Sequence, residues 1–403
     1  MQIINSIADL RELARRRVPR AMFDYADRGS YDELTMWRNH ADFDAIKLRQ
    51  RVMIDVSRLT VGTTVLGEHW KMPVGIAPTG LTGLFHRDGE IHGARAAQAA
   101  GVPFCLSTMS ICSIEDVRAA VEGAFWFQLY LMRDRGFNEA LIARAREARC
   151  SALVLTLDLP VQALRRRDAK NGLSVPPRLT AANLGEILLR PSWLAGVLLG
   201  KRRTLGNLAA FFPRSGIGRL SEWVGGQFEA SISWDDVAWV RARWPGKFIL
   251  KGILDADDAR RGVEAGADAI IVSNHGGRQL DGAPSTIAAL PAVVDAVAGR
   301  CEVLLDGGIT SGQDVLKALA FGARACLIGK SFLYGTQISH AIIDDGHTGR
   351  FSHDDCDDYR APFVLNTPVM RESRFTAWRN ARVVALKVPS RMWWVLRPRR
   401  QSI

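Results

Sequence analysis

Eight short apolar runs, each ending in polar residues, constrain this 403-residue chain more than anything else in it. They fall at 74–77, 103–106, 125–127, 153–155, 248–250, 269–272, 302–305 and 325–328. Most are followed by a segment rich in Ala, Leu, Arg and Glu with apolar residues at three-to-four spacing, as at 87–100, 114–121, 138–149, 256–265 and 312–321. Strand then helix, repeated, implies an α/β fold with a parallel sheet.

The residues just beyond each run separate an open sheet from a closed barrel. The ends read Pro78-Thr79-Gly80, Ser107-Thr108, Gln128-Leu129-Tyr130, Thr156-Leu157-Asp158, Lys251-Gly252, Ser273-Asn274-His275, Asp306-Gly307-Gly308 and Gly329-Lys330. An open sheet gathers its ligand at one switch point, whereas a (β/α)8 TIM barrel brings all eight strand ends to one mouth. Chemistry at nearly every end therefore predicts the barrel. Such a barrel takes about 250 residues, which leaves room for an N-terminal helical cap, an insertion between strands 4 and 5, and an atypical C-terminal tail. The expected division is a barrel domain over 1–335 and a divergent basic tail over 336–403.

The sixth end carries the densest chemistry, Ser-Asn-His-Gly-Gly-Arg-Gln-Leu-Asp at 273–281. A histidine takes a proton near neutral pH, and a guanidinium three residues later clamps a carboxylate bidentately. The glycines between them let backbone approach a flat ligand. The plain structural reading is a strand-end histidine beside a solvated arginine. At the last two ends, Asp-Gly-Gly-Ile before one helix and Ile-Gly-Lys before another form a phosphate-site pattern of glycine amides and one cation. Either glycine alone is an ordinary turn.

These motifs, with Trp-Phe-Gln-Leu-Tyr at 126–130 and Phe-Asp-Tyr at 23–25, make residues 7–335 resemble the FMN-dependent α-hydroxy-acid oxidases and dehydrogenases. Within that family the runs Leu-Ser-Thr-Met-Ser-Ile-Cys at 106–112 and Tyr-Leu-Met-Arg-Asp-Arg-Gly-Phe at 130–137 resemble the bacterial respiratory L-lactate dehydrogenase branch. The resemblance implies FMN as cofactor and a small 2-hydroxy acid as substrate. It implies His275 as general base, oriented by Asp158, with Tyr130 beside the reacting centre. Tyr25, Tyr130, Arg165 and Arg278 are the implied substrate-binding residues. Lys251 is implied beside the flavin N1–C2 end, Thr79, Ser107, Gln128, Thr156 and Ser273 along the ring and ribityl chain, Asp306 on the ribityl hydroxyls, and Gly308, Gly329 and Lys330 on the phosphate. Two departures stand out here, Lys330 where relatives usually carry arginine and Ala163-Leu164 beside Arg165, while Gly80 resembles the electron-transfer dehydrogenases rather than the oxidases. On its own Arg165, within Leu-Arg-Arg-Arg-Asp at 164–168, reads as part of a solvated charge run.

Composition excludes other classes. No run is long enough to span a bilayer, and residues 1–9 lack a basic stretch followed by an apolar core, so no secretion signal is expected. Six cysteines, Cys105, Cys112, Cys150, Cys301, Cys326 and Cys356, form no Cys-x-x-Cys pair and read as reduced core residues. Neither a metal-ligand spacing nor a Walker-type phosphate loop occurs. The formal charge of +11 is uneven, with eleven Lys/Arg against two acids over 165–219. Beside that excess lie an apolar stretch at 187–199 with Trp193, then Lys201-Arg202-Arg203 and Phe211-Phe212. This suits an interfacial anchor on anionic lipid, where each basic residue adds about 1 kcal/mol. The competing reading is a loop folded over the barrel mouth. No nucleic-acid motif accompanies the charge, so nucleic acid is not an expected partner.

After Tyr334-Gly335 the family pattern stops. Residues 371–403 then hold nine Lys/Arg and one acid, with Trp393-Trp394 and Arg397-Pro398-Arg399-Arg400. This is either a replaced, frame-shifted C-terminus or an accessory tail that binds membrane or a partner. If the eighth helix is absent, strand 8 loses its cover and the phosphate site weakens. Three functions stand as expectations. The first is a peripheral dehydrogenase at the cytoplasmic face of the inner membrane, or in the cytoplasm, passing electrons from a hydroxy acid to a quinone or cytochrome, as a homotetramer by resemblance. The second is a soluble oxidase forming hydrogen peroxide, and the third an inactive remnant unable to hold FMN.

Overall fold

Every apolar run becomes a strand of one parallel sheet, and a short hairpin that the sequence pattern does not announce precedes them. The computed structural model describes residues 4–50, 52–53, 60–172, 181–209, 211, 226–227 and 230–337. The strands are β1 (Thr63–Val65), β2 (Glu68–Trp70), β3 (Val74–Ile76), β4 (Cys105–Ser107), β5 (Trp126–Tyr130), β6 (Ala152–Thr156), β7 (Lys247–Ile253), β8 (Ala269–Val272), β9 (Glu302–Asp306) and β10 (Ala325–Ile328). β3 to β10 pair in the order β3-β10-β9-β8-β7-β6-β5-β4. A parallel bridge between Ile76 and Phe104 then joins β3 to the approach of β4 and brings the sheet round into a barrel.

Alternation along the strands sorts the residues. Outward positions such as Phe127, Leu153, Leu155, Leu250, Ile270, Val272 and Leu305 join the helices in the larger apolar cluster. Inward positions Trp126, Ala152, Val154, Ile249, Ala269, Ile271, Leu304, Ala325 and Leu327 fill the barrel, and Val65, Leu66 and Trp70 of the hairpin join them. Trp70 packs on Trp126 with ring centroids 5.6 Å apart. Two residues further along, the inward positions turn polar: Ser107, Gln128, Thr156, Lys251, Ser273 and Asp306, all buried. A period of two thus stacks a polar layer on an apolar one at the carboxyl ends.

The predicted helices appear as Gly89–Ala100, Ile114–Arg118, Arg135–Glu147, Ala256–Glu264 and Gly312–Ala320. Side-chain caps begin several of them, as where Ser113 and Asp116 form a capping box and Ser311 accepts from the Asp314 amide. One further helix, Thr286–Val297, contains Pro291, which in sequence alone argues for a break. Here Ser285 caps its start, and buried Ile287, Leu290, Val293 and Val297 bind it to the barrel. The N-terminal cap is three helices, α1 (Ile7–Arg17), α2 (Arg20–Asp27) and α3 (Leu34–Ala45).

The insertion between β6 and β7 carries helices Arg166–Lys170, Ala181–Leu188, Pro191–Leu199, Gly206–Ala209 and Trp234–Arg243. Part of it folds over the barrel mouth, and part of its apolar surface stays exposed. Trp193 donates to the Leu84 carbonyl at 2.9 Å, and Leu205 lines the barrel mouth. Yet Leu188, Leu189 and Leu199 are 63%, 71% and 66% exposed. The five described cysteines are free, four of them buried. Phe212, Cys356 and the tail from 338 onward lie outside the described residues. A short helix, Lys330–Gly335, follows β10, and its Tyr334 donates to Asp27 of α2 at 2.7 Å, while the eighth helix expected after residue 335 lies outside the described residues. Its Phe332 and Leu333 join Cys326 and Ile328 of β10 in the larger apolar cluster.

Candidate active site

All eight strand ends converge on one cavity of about 1260 Å³, to which they contribute Thr79, Ser107, Tyr130, Thr156, Lys251, His275, Asp306 and Gly329. No open sheet could do this, because its outer strands diverge. Tyr25, Arg165, Arg278, Gly308 and Lys330 line the same cavity. Asp158, Gln128 and Ser273 do not, but each bonds to a residue that does.

The histidine sits where the chain leaves β8, in a left-handed conformation with φ 59°. Such a backbone is unusual for a residue with a side chain and is held here by surrounding bonds. Its amide donates to Ser273 Oγ at 3.1 Å, and its Nδ1 lies 2.9 Å from Asp158 Oδ1. With Nδ1 engaged by a carboxylate, Nε2 is turned to the Tyr130 hydroxyl at 3.2 Å. Burial alone would raise the Asp158 carboxyl, but His275 and Lys251 outweigh it and hold the group below the usual carboxylate range. Burial, reinforced by Asp158, pushes the Tyr130 phenol above its ordinary value, so it stays protonated at neutral pH.

The approach of Asp158 to this loop depends on Gly252. That residue has φ 105°, in a register shift between β7 and β8, and a Cβ there would lie 2.7 Å from Asp158 Cβ. The two chains come together only because the position has no side chain.

Arg278 and Arg165 flank Tyr25, with guanidinium carbons 4.8 Å and 5.6 Å from its ring centroid. Arg278 donates to the carbonyls of Tyr25 and Arg28, the latter at 2.9 Å. Burial, with Arg165 adding to it, lowers its pKa from the ordinary arginine value. Arg165 lies 3.6 Å from Asp168, and its Nε is buried without a hydrogen-bond partner. Two part-buried guanidiniums beside one another repel, and an anion between them would offset that.

The polar layer is a connected network. Ser107 Oγ donates to Gln128 Oε1 at 3.0 Å, and Gln128 Nε2 donates to Thr156 Oγ1 at 3.0 Å. Lys251 Nζ donates to Ser273 Oγ at 2.7 Å and pairs with Asp306 Oδ2 at 3.0 Å. Burial would lower the Lys251 pKa, but Asp306 and Asp158 hold it above the usual value. Asp306 Oδ1 is buried with no hydrogen-bond partner, an acceptor aimed at nothing in the protein. The part-buried Lys330 donates to the Asp27 carbonyl at 3.0 Å, and desolvation with Arg278 nearby brings its pKa down to about 7. Gly307 and Gly308 both have positive φ, and a Cβ on Gly308 would meet the Asn39 carbonyl at 2.6 Å.

Sequence reasoning missed the clamp that shapes the 273–281 loop. Asn274 and Asn39 exchange amide hydrogen bonds of 2.9 and 2.8 Å. Ser30 donates to the Gln279 carbonyl at 2.6 Å, and Asp281 accepts from the amides of Asp32 and Thr35 at 3.0 and 2.9 Å. Asn274 and Asp281 stand inside the 273–281 motif, but their partners lie more than 230 residues away. Nothing in local spacing points to them.

Known proteins are similar to this chain in sequence and fold. A sequence model of the FMN-dependent dehydrogenase family matches residues 14–342. The chain is 49% identical over 334 residues to the L-lactate dehydrogenase of Caulobacter vibrioides (strain NA1000 / CB15N), covering 82% of this chain and 87% of that one. It is 47% identical over 339 residues to the L-lactate dehydrogenase of Ectopseudomonas mendocina (strain ymp), covering 84% and 89%. Among solved structures, the monotopic membrane protein (S)-mandelate dehydrogenase superposes with a TM-score of 0.81 at 34% identity, over 91% of this chain and 95% of that one. Mandelate oxidase superposes with a TM-score of 0.74 at 35% identity, over 92% and 94%. A barrel whose eight strand ends meet at one mouth, matched in sequence along most of its length, makes this chain a member of the FMN-dependent dehydrogenase family.

Proposed function

We propose that the protein oxidises an L-2-hydroxy acid, L-lactate to pyruvate, at this site. The observation that carries the reading is the His275–Asp158 pair, 2.9 Å apart, on the same cavity as the two guanidiniums flanking Tyr25. Bound FMN supplies the acceptor for the substrate's two electrons and α-hydrogen. The residues fit that group: the free acceptor on Asp306 suits a ribityl hydroxyl, and part-buried Lys330 suits a phosphate. Lys251, held cationic, stands where negative charge on a reduced ring would be stabilised.

In this reading Arg278 and Arg165 hold the substrate carboxylate through paired donors. That places the substrate hydroxyl against His275 Nε2, which takes its proton while Asp158 stabilises the resulting imidazolium. The Tyr130 and Tyr25 phenols flank the substrate.

Electrons pass on to a quinone or cytochrome, and the protein lies against the cytoplasmic face of the inner membrane. Supporting this, the helices Ala181–Leu188 and Pro191–Leu199 and the turn between them expose Leu184, Leu188, Leu189, Leu198 and Leu199, and exposed Lys201 and Arg203 follow in the chain. Among the described residues no helix is long and apolar enough to cross a membrane. Gly80 favours a dehydrogenase over an oxidase by its resemblance to the electron-transfer members of the family. A homotetramer, a 1–335 barrel domain and a separate tail complete the proposal.

The test is an anaerobic addition of L-lactate to the purified yellow protein, watching the flavin band at about 450 nm. Bleaching supports the reading, and a coloured protein that lactate leaves unbleached refutes lactate as the substrate. Peroxide formed rapidly in air without another acceptor would replace the dehydrogenase by an oxidase. A colourless protein that stays so after FMN is added would make the chain a remnant.

A further inference from the structure

A second pocket of about 390 Å³ lies between the N-terminal cap and the insertion. Six arginines line it, Arg11, Arg15, Arg20, Arg28, Arg167 and Arg190, against only two carboxylates, Asp24 and Glu186. Their pairing is incomplete. Arg11 is bound to Asp27 at 2.7 Å and Arg15 to Glu12 at 2.7 Å. Arg20 and Arg28 share Asp24 at 3.7 and 4.0 Å, and Arg28 also reaches Asp27 and Glu33 at 3.6 and 3.5 Å. Among the described residues, Arg167 and Arg190 have no carboxylate within 4.0 Å. The Nε atoms of Arg28 and Arg190 are buried without hydrogen-bond partners. Arg20 and Arg167 are exposed, whereas a shielded Nε–H without an acceptor, as on Arg190, is costly unless an anion completes it.

The walls are tied together. Asn171 donates to Asp24 Oδ2 at 2.9 Å, and Asn183 of the helix Ala181–Leu188 donates to the Asn171 carbonyl at 2.7 Å. The arginines are thus drawn from three separate segments onto one small volume.

We infer that this pocket is an anion site for a phosphate group, held by Arg167, Arg190, Arg20 and Arg28. Planar guanidinium forks match the tetrahedral oxygens of a phosphate, and several can share one such group. Exposed Leu188 and Leu189 directly precede Arg190, so the phosphate of an anionic lipid headgroup would sit here with its chains over the leucines. A free phosphate or phosphorylated metabolite offers the same chemistry. Arg11 lines both this pocket and the catalytic cavity, but Arg167, Arg190, Arg20 and Arg28 line this one alone, and phosphate binding here does not depend on the proposed reaction.

The experiment uses the full-length, FMN-loaded protein, so that no phosphate can enter the flavin site. Three proteins are compared: the wild type, Arg167→Gln/Arg190→Gln, and Arg146→Gln/Arg260→Gln, which removes the same charge elsewhere on the surface. Each is titrated with inorganic phosphate by calorimetry, and with vesicles of phosphatidylcholine with and without phosphatidylglycerol. Retained flavin colour and melting temperature check the fold. Each guanidinium lost from the pocket should weaken binding about tenfold, with the control pair unchanged. Weakening of phosphate binding identifies a free phosphate. Weakening confined to the phosphatidylglycerol-dependent part of vesicle binding identifies a headgroup. Equal weakening in both double variants, or no binding of either probe by the wild type, would overturn the site.

Discussion

The proposed chemistry turns on a single imidazole whose Nδ1 is taken by Asp158 and whose Nε2 faces the cavity. Replacing it, His275→Ala, should leave flavin bound while lowering the rate of flavin reduction by about 10²–10⁴-fold, the usual worth of a general base. Stopped-flow reduction by L-lactate measures this, and an unaltered rate would remove His275 as the base. Lys330 makes a pH prediction. Burial lowers its pKa from 10.5 to about 7 in the flavin-free protein, whereas a bound phosphate dianion would restore the charged form. FMN binding should therefore take up a proton above pH about 7, and affinity should fall as pH rises from there toward 10.5. The same depressed pKa makes the flavin-free protein gain stability across that window as pH rises, and lose it as pH falls through about 7. Flavin fluorescence titrations check the affinity, and Lys330→Arg should flatten the curve. At this scale much was legible: His275, Arg278, Lys251 and Asp306 announce themselves by type and by position at strand ends. Arg165 did not, since among three consecutive arginines only the fold shows which one faces Tyr25.

At the scale of elements, the register shift in β7 shows why a strand end is more than its last residue. Gly252 lets Asp158 approach, so Gly252→Ala should displace that carboxylate and strain a backbone at φ 105°. The expected outcome is a stability loss of about 1–3 kcal/mol with a fall in kcat larger than any change in KM. Thermal melting and steady-state kinetics test it, and wild-type values for both would mean the loop has room to adjust. A Lys-Gly pair at the end of an apolar run reads from sequence as a turn, because the shift exists only relative to β8. The helix Thr286–Val297 was hidden for the opposite reason, since Pro291 argues locally against a helix that burial of one face stabilises. The hairpin Thr63–Trp70 was missed because three-residue strands carry too little alternation to register.

For the whole molecule, the insertion faces two ways at once, with Trp193 and Leu205 turned to the barrel and a ridge of leucines turned out. Substituting Leu188, Leu189 and Leu199 by serine should release the protein from membranes, about tenfold in partition for each leucine that would otherwise be buried. Flotation with vesicles reads this out, and unchanged partition would move the contact elsewhere. The linear pattern dictates a parallel sheet, because eight apolar runs spaced by helices must bury both faces, and polar chemistry at nearly every strand end favours the barrel over the open sheet. That pattern also dictates which strand ends carry polar chemistry, because a period of two places those residues inward at one mouth. The distant partners that complete each group emerge from packing alone: Asp158 beside His275, Asn39 beside Asn274, Arg165 and Arg278 around one tyrosine, and six arginines on a second pocket. Those are contacts between segments far apart in the chain, and local preference carries no information about them until the core has packed.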